Sequence, residues 1–154
     1  MAKIEYKVPT VKQANKNSCW NASAQMIWWY WQGESGRQGP MQSLADRFAN
    51  VQAVNPPHDF IALAKNVGLK PIKFTHPLTG ASLHEILKKH GPLWCAGEWF
   101  GPGHIIVTTG TDGSEVYYND PGDGKAGKGS LAWFNSKIHF FVKDCMMCKD
   151  PGRY

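Results

Sequence analysis

The order of apolar and polar residues predicts helices in the first part of the chain and strands in the second. Residues 18–31 contain no Gly or Pro and are apolar on nearly every face, which favours a helix buried at the centre of a domain. Asn17 and Ser18 are good N-cap residues, and Gly33 is expected to follow the end of this helix. A loop rich in Gly and Pro is then expected over residues 33–40.

Three more helices are predicted before the pattern changes. Ser43-Leu-Ala-Asp46 is a capping signal for a helix that runs to about Val51, and Pro56-Pro57 opens a helix with an apolar face that ends at Gly68. Ser82-Leu-His-Glu85 is a capping box for a helix that runs to His90, where Gly91-Pro92 stops it.

After Pro92 the apolar pattern becomes that of short strands. One helical turn over residues 131–137 interrupts the strands, and Thr111-Asp112-Gly113 is a hairpin signal. Helices followed by strands indicate an α+β fold with an antiparallel sheet, which we expect to form one domain over residues 1–154. The predicted strands are residues 93–99, 104–109, 115–120 and 138–142.

Composition excludes several classes of protein. Apolar residues make up 42% of the chain and charged residues 19%, so it is not a disordered polyelectrolyte. The formal net charge of +5 is too dispersed to indicate a nucleic-acid surface. No apolar run is long enough to span a bilayer, and the first residues do not resemble a Sec signal peptide. We therefore expect a protein that is cytoplasmic as made, binds neither nucleic acid nor membrane, and needs a specialised route if it leaves the cell.

The four cysteines do not form a disulfide framework or a metal site. Cys145 and Cys148 form a lone CxxC without a second ligand pair, and we expect ordinary thiols or a local disulfide. Cys95 lies in an apolar run and is expected to be a small buried residue. No metal and no cofactor are predicted.

Cys19 is the candidate nucleophile. It lies at the start of the central helix, where the helix dipole and free backbone N–H groups favour a thiolate. Gln13 lies six residues upstream, and a turn between them would bring its carboxamide beside the thiol. A carboxamide N–H together with a backbone N–H at the nucleophile can form an oxyanion hole.

His104 and Asp120 are the candidate base and the group that orients it. His104 begins one predicted strand and Asp120 ends the next, so antiparallel pairing brings them together. Asn119 is a rival for the orienting role, but strand alternation puts Asn119 and Asp120 on opposite faces, and only one of them can face His104. Together with Cys19 these residues make a nucleophile, base and orienter set.

The segment Gln13-Ala-Asn-Lys-Asn-Ser-Cys19-Trp20 resembles the oxyanion-hole Gln and nucleophile Cys of papain-like cysteine peptidases. Lys16-Asn17 replaces the Cys-Gly of the papain signature, so the resemblance is nearer to compact bacterial members. These are effector peptidases of plant pathogens and peptidases that trim double-glycine leaders from bacteriocins. The likeness covers about residues 7–142 and includes Cys19–Ile27, Lys89–Pro92, His104–Gly110, Asn119–Pro121 and Trp133–Asn135.

The resemblance implies a papain-like fold in which the Cys helix packs against the sheet. It also implies peptide-bond hydrolysis through an acyl-enzyme, with Cys19 as nucleophile, His104 as general base, Asp120 as orienter and Gln13 in the oxyanion hole. The expected substrate is a protein or peptide, and the expected form is a monomeric effector or toxin domain. If it is a toxin, an immunity protein is expected to cover the cleft, whose specificity loops are predicted at 33–42 and 97–103.

Three other functions fit the same residues. One is a bacteriocin-leader peptidase, although such enzymes normally precede a transporter. Another is an amidase acting on cell-wall peptides, a class that usually opens with Asp-Cys-Ser and lacks the upstream Gln. The third is a catalytically silent papain-like binding module, which would have no need of all four candidate residues.

Overall fold

The computed structural model of the protein describes residues 2–37 and 58–152. In these ranges the helices are α1 (Cys19–Ser35), α2 (His58–Asn66), α3 (Gly80–His90) and α4 (Leu131–Lys137). The strands are β1 (Ile4–Glu5), β2 (Leu69–Pro71), β3 (Leu93–Gly97), β4 (His104–Thr111), β5 (Glu115–Asp120), β6 (Lys125–Ser130) and β7 (Met146–Lys149).

The strands form one antiparallel sheet in the order β2-β7-β3-β4-β5-β6, and the short β1 pairs with β4. The predicted α+β class is confirmed. β4 and β5 form a hairpin whose turn lies at Asp112, as the sequence predicts. The strand β7 enters the sheet between β2 and β3, although it comes last of the described strands in the chain.

The helix α1 is buried against the sheet. It packs on β4, β3 and β7 and on α2, and its first residues from Cys19 to Ala24 are all buried. Trp20, Met26 and Ile27 are completely inaccessible to solvent, and the Nε1–H of Trp94 on β3 donates to the backbone oxygen of Trp20. Burial on several faces explains the nearly uniform apolar pattern of residues 18–31.

Two helix boundaries differ from the prediction. The helix α1 continues through Gly33 to Ser35, and the left-handed residue that ends it is Gly36, with φ 71°. The helix α3 begins at Gly80, because its capping box is formed by Thr79 and Ser82 rather than by Ser82 and Glu85. A local motif permits several registers, and Thr79 supplies the cap one turn earlier.

The strand predictions are wrong in two places. Residues 138–142 form no strand and make only a single bridge, between Ile138 and Gly97. The strands β2, β6 and β7 were not expected, because β6 is Gly-rich and β2 and β7 are short. The helix expected over 43–51, the opening of the next at 56–57 and residues 38–42 of the loop expected at 33–42 lie outside the described residues.

The three cysteines other than Cys19 are buried free thiols. Burial raises the pKa of the Cys145 thiol to about 12 and raises the pKa of Cys95 and Cys148 as well. These groups are therefore neutral near pH 7, as expected of ordinary core thiols. Across residues 2–37 and 58–152, no helix has the length and apolar character to cross a membrane.

Candidate active site

Cys19 is the first residue of α1 and lines a cleft of about 760 Å³. The first turn of α1 carries no acidic residue, so the positive end of the helix dipole is not neutralised there. The first backbone N–H groups of a helix have no partner within the helix, which makes this end a favourable environment for an anion.

The loop before α1 is held by its own hydrogen bonds. The Ser18 hydroxyl accepts from the Asn15 N–H at 3.0 Å and donates to the Asn15 oxygen at 2.9 Å. The Gln13 carboxamide donates to the oxygens of Asn15 at 3.0 Å and Lys16 at 3.2 Å. Gln13 therefore holds the loop that leads to Cys19, and the approach of its carboxamide to the thiol stays a prediction.

A backbone hydrogen bond also links Gln13 to the segment that follows Asp120. The Gln13 N–H donates to the oxygen of Pro121, directly after Asp120, at 2.8 Å. The Gln13 Oε1 atom is buried without a hydrogen-bond partner in the described structure. Both N–H groups of the carboxamide donate to loop carbonyls, so an oxyanion could accept a hydrogen bond from Gln13 only if one of these two bonds is broken.

His104 and Asp120 lie together at adjacent ends of the β4–β5 hairpin. The Nε2 atom of His104 is 2.6 Å from Oδ1 of Asp120, and the Gly122 N–H donates to the same oxygen at 2.8 Å. A Cβ atom on Gly122 would lie 3.1 Å from Asp120 Oδ1, which is a tight contact, and 3.5 Å from His104 Nε2, which is an ordinary one. The second ring nitrogen of His104, Nδ1, is left for other partners.

The electrostatics of this pair favour the imidazolium. Burial alone would lower the pKa of His104, but the hydrogen bonds and charges of Asp120 and Cys19 outweigh burial and raise this pKa to about 9. Burial acts to raise the pKa of Asp120, and the hydrogen bonds from His104 and Gly122 lower it overall. His104 thus interacts with a carboxylate through one side and with the Cys19 thiol as well.

The Asn119 side chain forms a hydrogen bond with the N-terminal segment. It is 3% exposed, and its Nδ2 donates to the oxygen of Val8 at 2.9 Å. It fixes the N-terminal segment to the sheet, while Asp120, the next residue along the strand, contacts His104. Asn135, part of the likeness noted in the sequence, is also structural: its side chain makes two hydrogen bonds to the backbone of Leu78.

The cleft contains polar residues that no sequence motif indicated. Glu98 and His139 line it together with Cys19 and His104. His139 is 6% exposed, and it reaches the site because Ile138 bridges Gly97 at the end of β3. That contact joins segments about forty residues apart, so spacing along the chain did not reveal it. The predicted specificity loop at 97–103 does line the cleft, through Glu98, Phe100 and their neighbours.

The described part of the chain contains no group of three or more His, Cys, Asp or Glu side chains that could hold a metal ion. Residues 2–139 match the model of the family described as papain-like cysteine protease AvrRpt2. The chain belongs to this family. It is therefore a papain-like cysteine protease, a hydrolase, and the resemblance noted from the sequence is confirmed.

Two solved structures share the fold of this papain-like protease over nearly its full length. One is a double glycine motif protease from an AMS/PCAT transporter, in complex with the leader peptide; it is 21% identical, with a TM-score of 0.58, and the match covers 96% of this chain and 95% of that one. The other is a C39-like peptidase from Bacillus anthracis, 17% identical, with a TM-score of 0.59 and coverage of 96% and 98%. No curated protein matches the chain.

Proposed function

We propose that this papain-like protease is an endopeptidase that cleaves proteins or peptides through Cys19, His104 and Asp120, without a cofactor. The observation that carries the proposal is the His104–Asp120 contact of 2.6 Å, in the cleft that Cys19 also lines. The pKa of His104, raised to about 9 by Asp120 and Cys19 against the effect of burial, makes the imidazolium its main form near neutral pH, which supports a role in protonating the leaving amine.

In the proposed mechanism the Cys19 sulfur attacks the carbonyl carbon of the scissile peptide bond. The carbonyl oxygen becomes an oxyanion, and collapse of the tetrahedral intermediate breaks the C–N bond while the His104 imidazolium protonates the leaving amine. A water molecule, deprotonated by His104, then attacks the thioester. The acid product leaves, and the Cys19 thiolate and His104 imidazolium are restored.

Gln13 is proposed as one donor to the oxyanion and the Cys19 backbone N–H as the other. The longer of the two carboxamide bonds, the one to the Lys16 oxygen at 3.2 Å, is the one we expect to be exchanged for the oxyanion. Asp120 keeps the His104 ring oriented, because its bond to Nε2 leaves Nδ1 for Cys19.

For the biological role we propose a monomeric bacterial effector or toxin that a specialised secretion system delivers into a target cell. The resemblance of Cys19–Ile27 to the effector type of these peptidases supports this role. In a toxin, an immunity protein bound over the cleft would protect the producing cell. The second candidate is a bacteriocin-leader peptidase, favoured by the fold shared with a protease that was solved with its leader peptide.

A comparison of single cysteine variants tests the proposed nucleophile. Cys19→Ala should abolish hydrolysis of a casein or proteome-derived peptide mixture, read by mass spectrometry, and should preserve the fold because it removes one small side chain. The matched control is Cys95→Ala, because Cys95 is also buried and its thiol forms its hydrogen bond with the Thr108 hydroxyl. Hydrolysis that persists in Cys19→Ala and disappears in Cys95→Ala would reject the assignment.

A peptide set that ends in Gly-Gly separates the two biological roles. A leader peptidase should cleave after the Gly pair and ignore peptides that lack it. An effector protease should release fragments from folded host proteins with a wider range of sequences. The Cys19→Ala variant gives the background in both assays.

A further inference from the structure

A carboxylate and two exposed phenylalanines share the cleft with Cys19. Glu98 has 64% of its side chain exposed, and Phe100 and Phe141 are 55% and 70% exposed. All three line the same cleft, and exposed apolar side chains that gather in one place, unlike those scattered singly, are typical of a binding surface.

The backbone holds Glu98 firmly while its carboxylate remains open to solvent. The Glu98 N–H donates to the Lys137 oxygen at 2.9 Å, and the preceding Gly97 bridges Ile138. Glu98 therefore lies at the junction between β3 and the segment that follows α4. A carboxylate on such an anchored base loses less conformational entropy on binding than one on a free loop.

A buried imidazole lies beside this carboxylate. The Nε2 atom of His139 is 3.7 Å from Oε1 of Glu98, and the backbone of His139 donates to the Ala96 oxygen at 3.0 Å. The Nδ1 atom of His139 is buried and has no hydrogen-bond partner in the described structure. The same imidazole lines the cleft together with Glu98.

Charge in the cleft leaves Glu98 available for a ligand. The cleft contains two carboxylates, and Asp120 already accepts from His104 and Gly122. Within the described residues, the only ion pair of Glu98 is the long contact to His139. A cationic group entering beside Glu98 would meet a carboxylate in a cleft that Phe100 and Phe141 also line, and a carboxylate with aromatic rings suits Lys and Arg.

We propose that Glu98, Phe100 and Phe141 form a subsite for a basic side chain of the substrate. The proposal rests on the proposed endopeptidase function and names a class of substrate for it: peptides with Arg or Lys near the cleaved bond.

Quenched fluorescent peptides test the subsite. Around one sequence that the protein cleaves, each position is replaced in turn by Arg, Lys, Gln or Glu. At one position we expect the kcat/KM of Arg and Lys peptides to exceed that of the Gln peptide by roughly five- to tenfold, as for a partly exposed ion pair with aromatic contact. Glu98→Gln should bring this ratio to about one, and Glu98→Arg should shift the preference to the Glu peptide.

Two controls accompany these variants. Glu85→Gln changes an exposed carboxylate of α3 that does not line the cleft, and it should keep the wild-type ratio. Raising the salt from about 50 mM to about 500 mM should reduce the ratio in the wild type. A wild-type ratio of one at every position, or a preference that Glu98→Gln leaves unchanged, overturns the subsite and leaves the protease function standing. Absence of any Cys19-dependent hydrolysis overturns both.

Discussion

At Gln13, the carboxamide proposed for the oxyanion hole also holds the loop before Cys19. It donates to the oxygens of Asn15 and Lys16, so a substitution could act on the transition state or on the loop. The two effects differ in what they change. Loss of an oxyanion donor slows only reactions that generate an oxyanion, whereas a displaced loop changes the surroundings of the thiol in every reaction.

We therefore expect Gln13→Ala to lower kcat by about 10²–10³ with a smaller change in KM. The rate at which iodoacetamide alkylates Cys19 should stay near that of the wild type, because this substitution at carbon forms no oxyanion. Steady-state kinetics and alkylation followed by mass spectrometry give the two rates. If alkylation slows as much as hydrolysis, Gln13 acts by holding the loop.

Among the elements, α3 has its N-cap at Thr79, about one turn before the predicted one at Ser82. Its N-cap is Thr79, whose hydroxyl accepts from the Ser82 N–H at 3.0 Å, and the Ser82 hydroxyl accepts from the Thr79 N–H at 2.9 Å. Both residues are hydroxyl-bearing, so Ser82 satisfies the pattern of an N-cap and of an N3 partner alike. Only the position of Leu83 and Leu87 against the core selects the register that the structure adopts.

Thr79→Ala should lower the free energy of unfolding by about 1 kcal/mol, the usual loss when an N-cap hydroxyl is removed. Glu85→Ala is the comparison, because Glu85 would be equally important only if the box were Ser82–Glu85. It is exposed within the helix and should change stability by less than about 0.5 kcal/mol. Urea denaturation followed by tryptophan fluorescence measures both. A larger loss for Glu85→Ala would contradict the observed cap.

The strands could be predicted where they pair with a neighbour in the chain and not where they pair with a distant segment. The β4–β5 hairpin was predictable, because a short turn fixes the pairing of neighbouring strands, and with it the proximity of His104 and Asp120. The central helix was predictable from its own apolar residues. The short β7, the Gly-rich β6 and the approach of His139 to Glu98 depend on pairing between distant segments, which leaves no periodic signal in the chain.

On the scale of the whole molecule, the titration of His104 links the active site to stability. Its side chain is 19% exposed, and although burial opposes protonation, Asp120 and Cys19 raise its pKa from 6.5 to about 9. Folding therefore favours the protonated form. This stabilisation, up to roughly 3 kcal/mol, is fully present below about pH 6.5 and is lost as the pH rises through about 9.

Chemical denaturation at a series of pH values tests this linkage. The free energy of unfolding of the wild type should fall between about pH 6.5 and 9 more steeply than that of His104→Gln, which has no imidazole to titrate. The difference between the two proteins isolates His104 from other groups that ionise in this range. Parallel curves for the two proteins would show that the folded state does not hold the extra proton.

The position of β7 has a consequence for how the protein is synthesised. Because β7 lies between β2 and β3, the facing edges of these two strands stay unpaired until β7 has been made. A nascent chain on the ribosome can already form the β4–β5 hairpin with His104 and Asp120 at that stage. The gap closes only after Met146–Lys149 leave the exit tunnel, so the sheet beneath α1 is completed after the β4–β5 hairpin has emerged. A ribosome-bound chain at that stage would carry His104 and Asp120 without the finished core, which would delay proteolysis until β7 has been made.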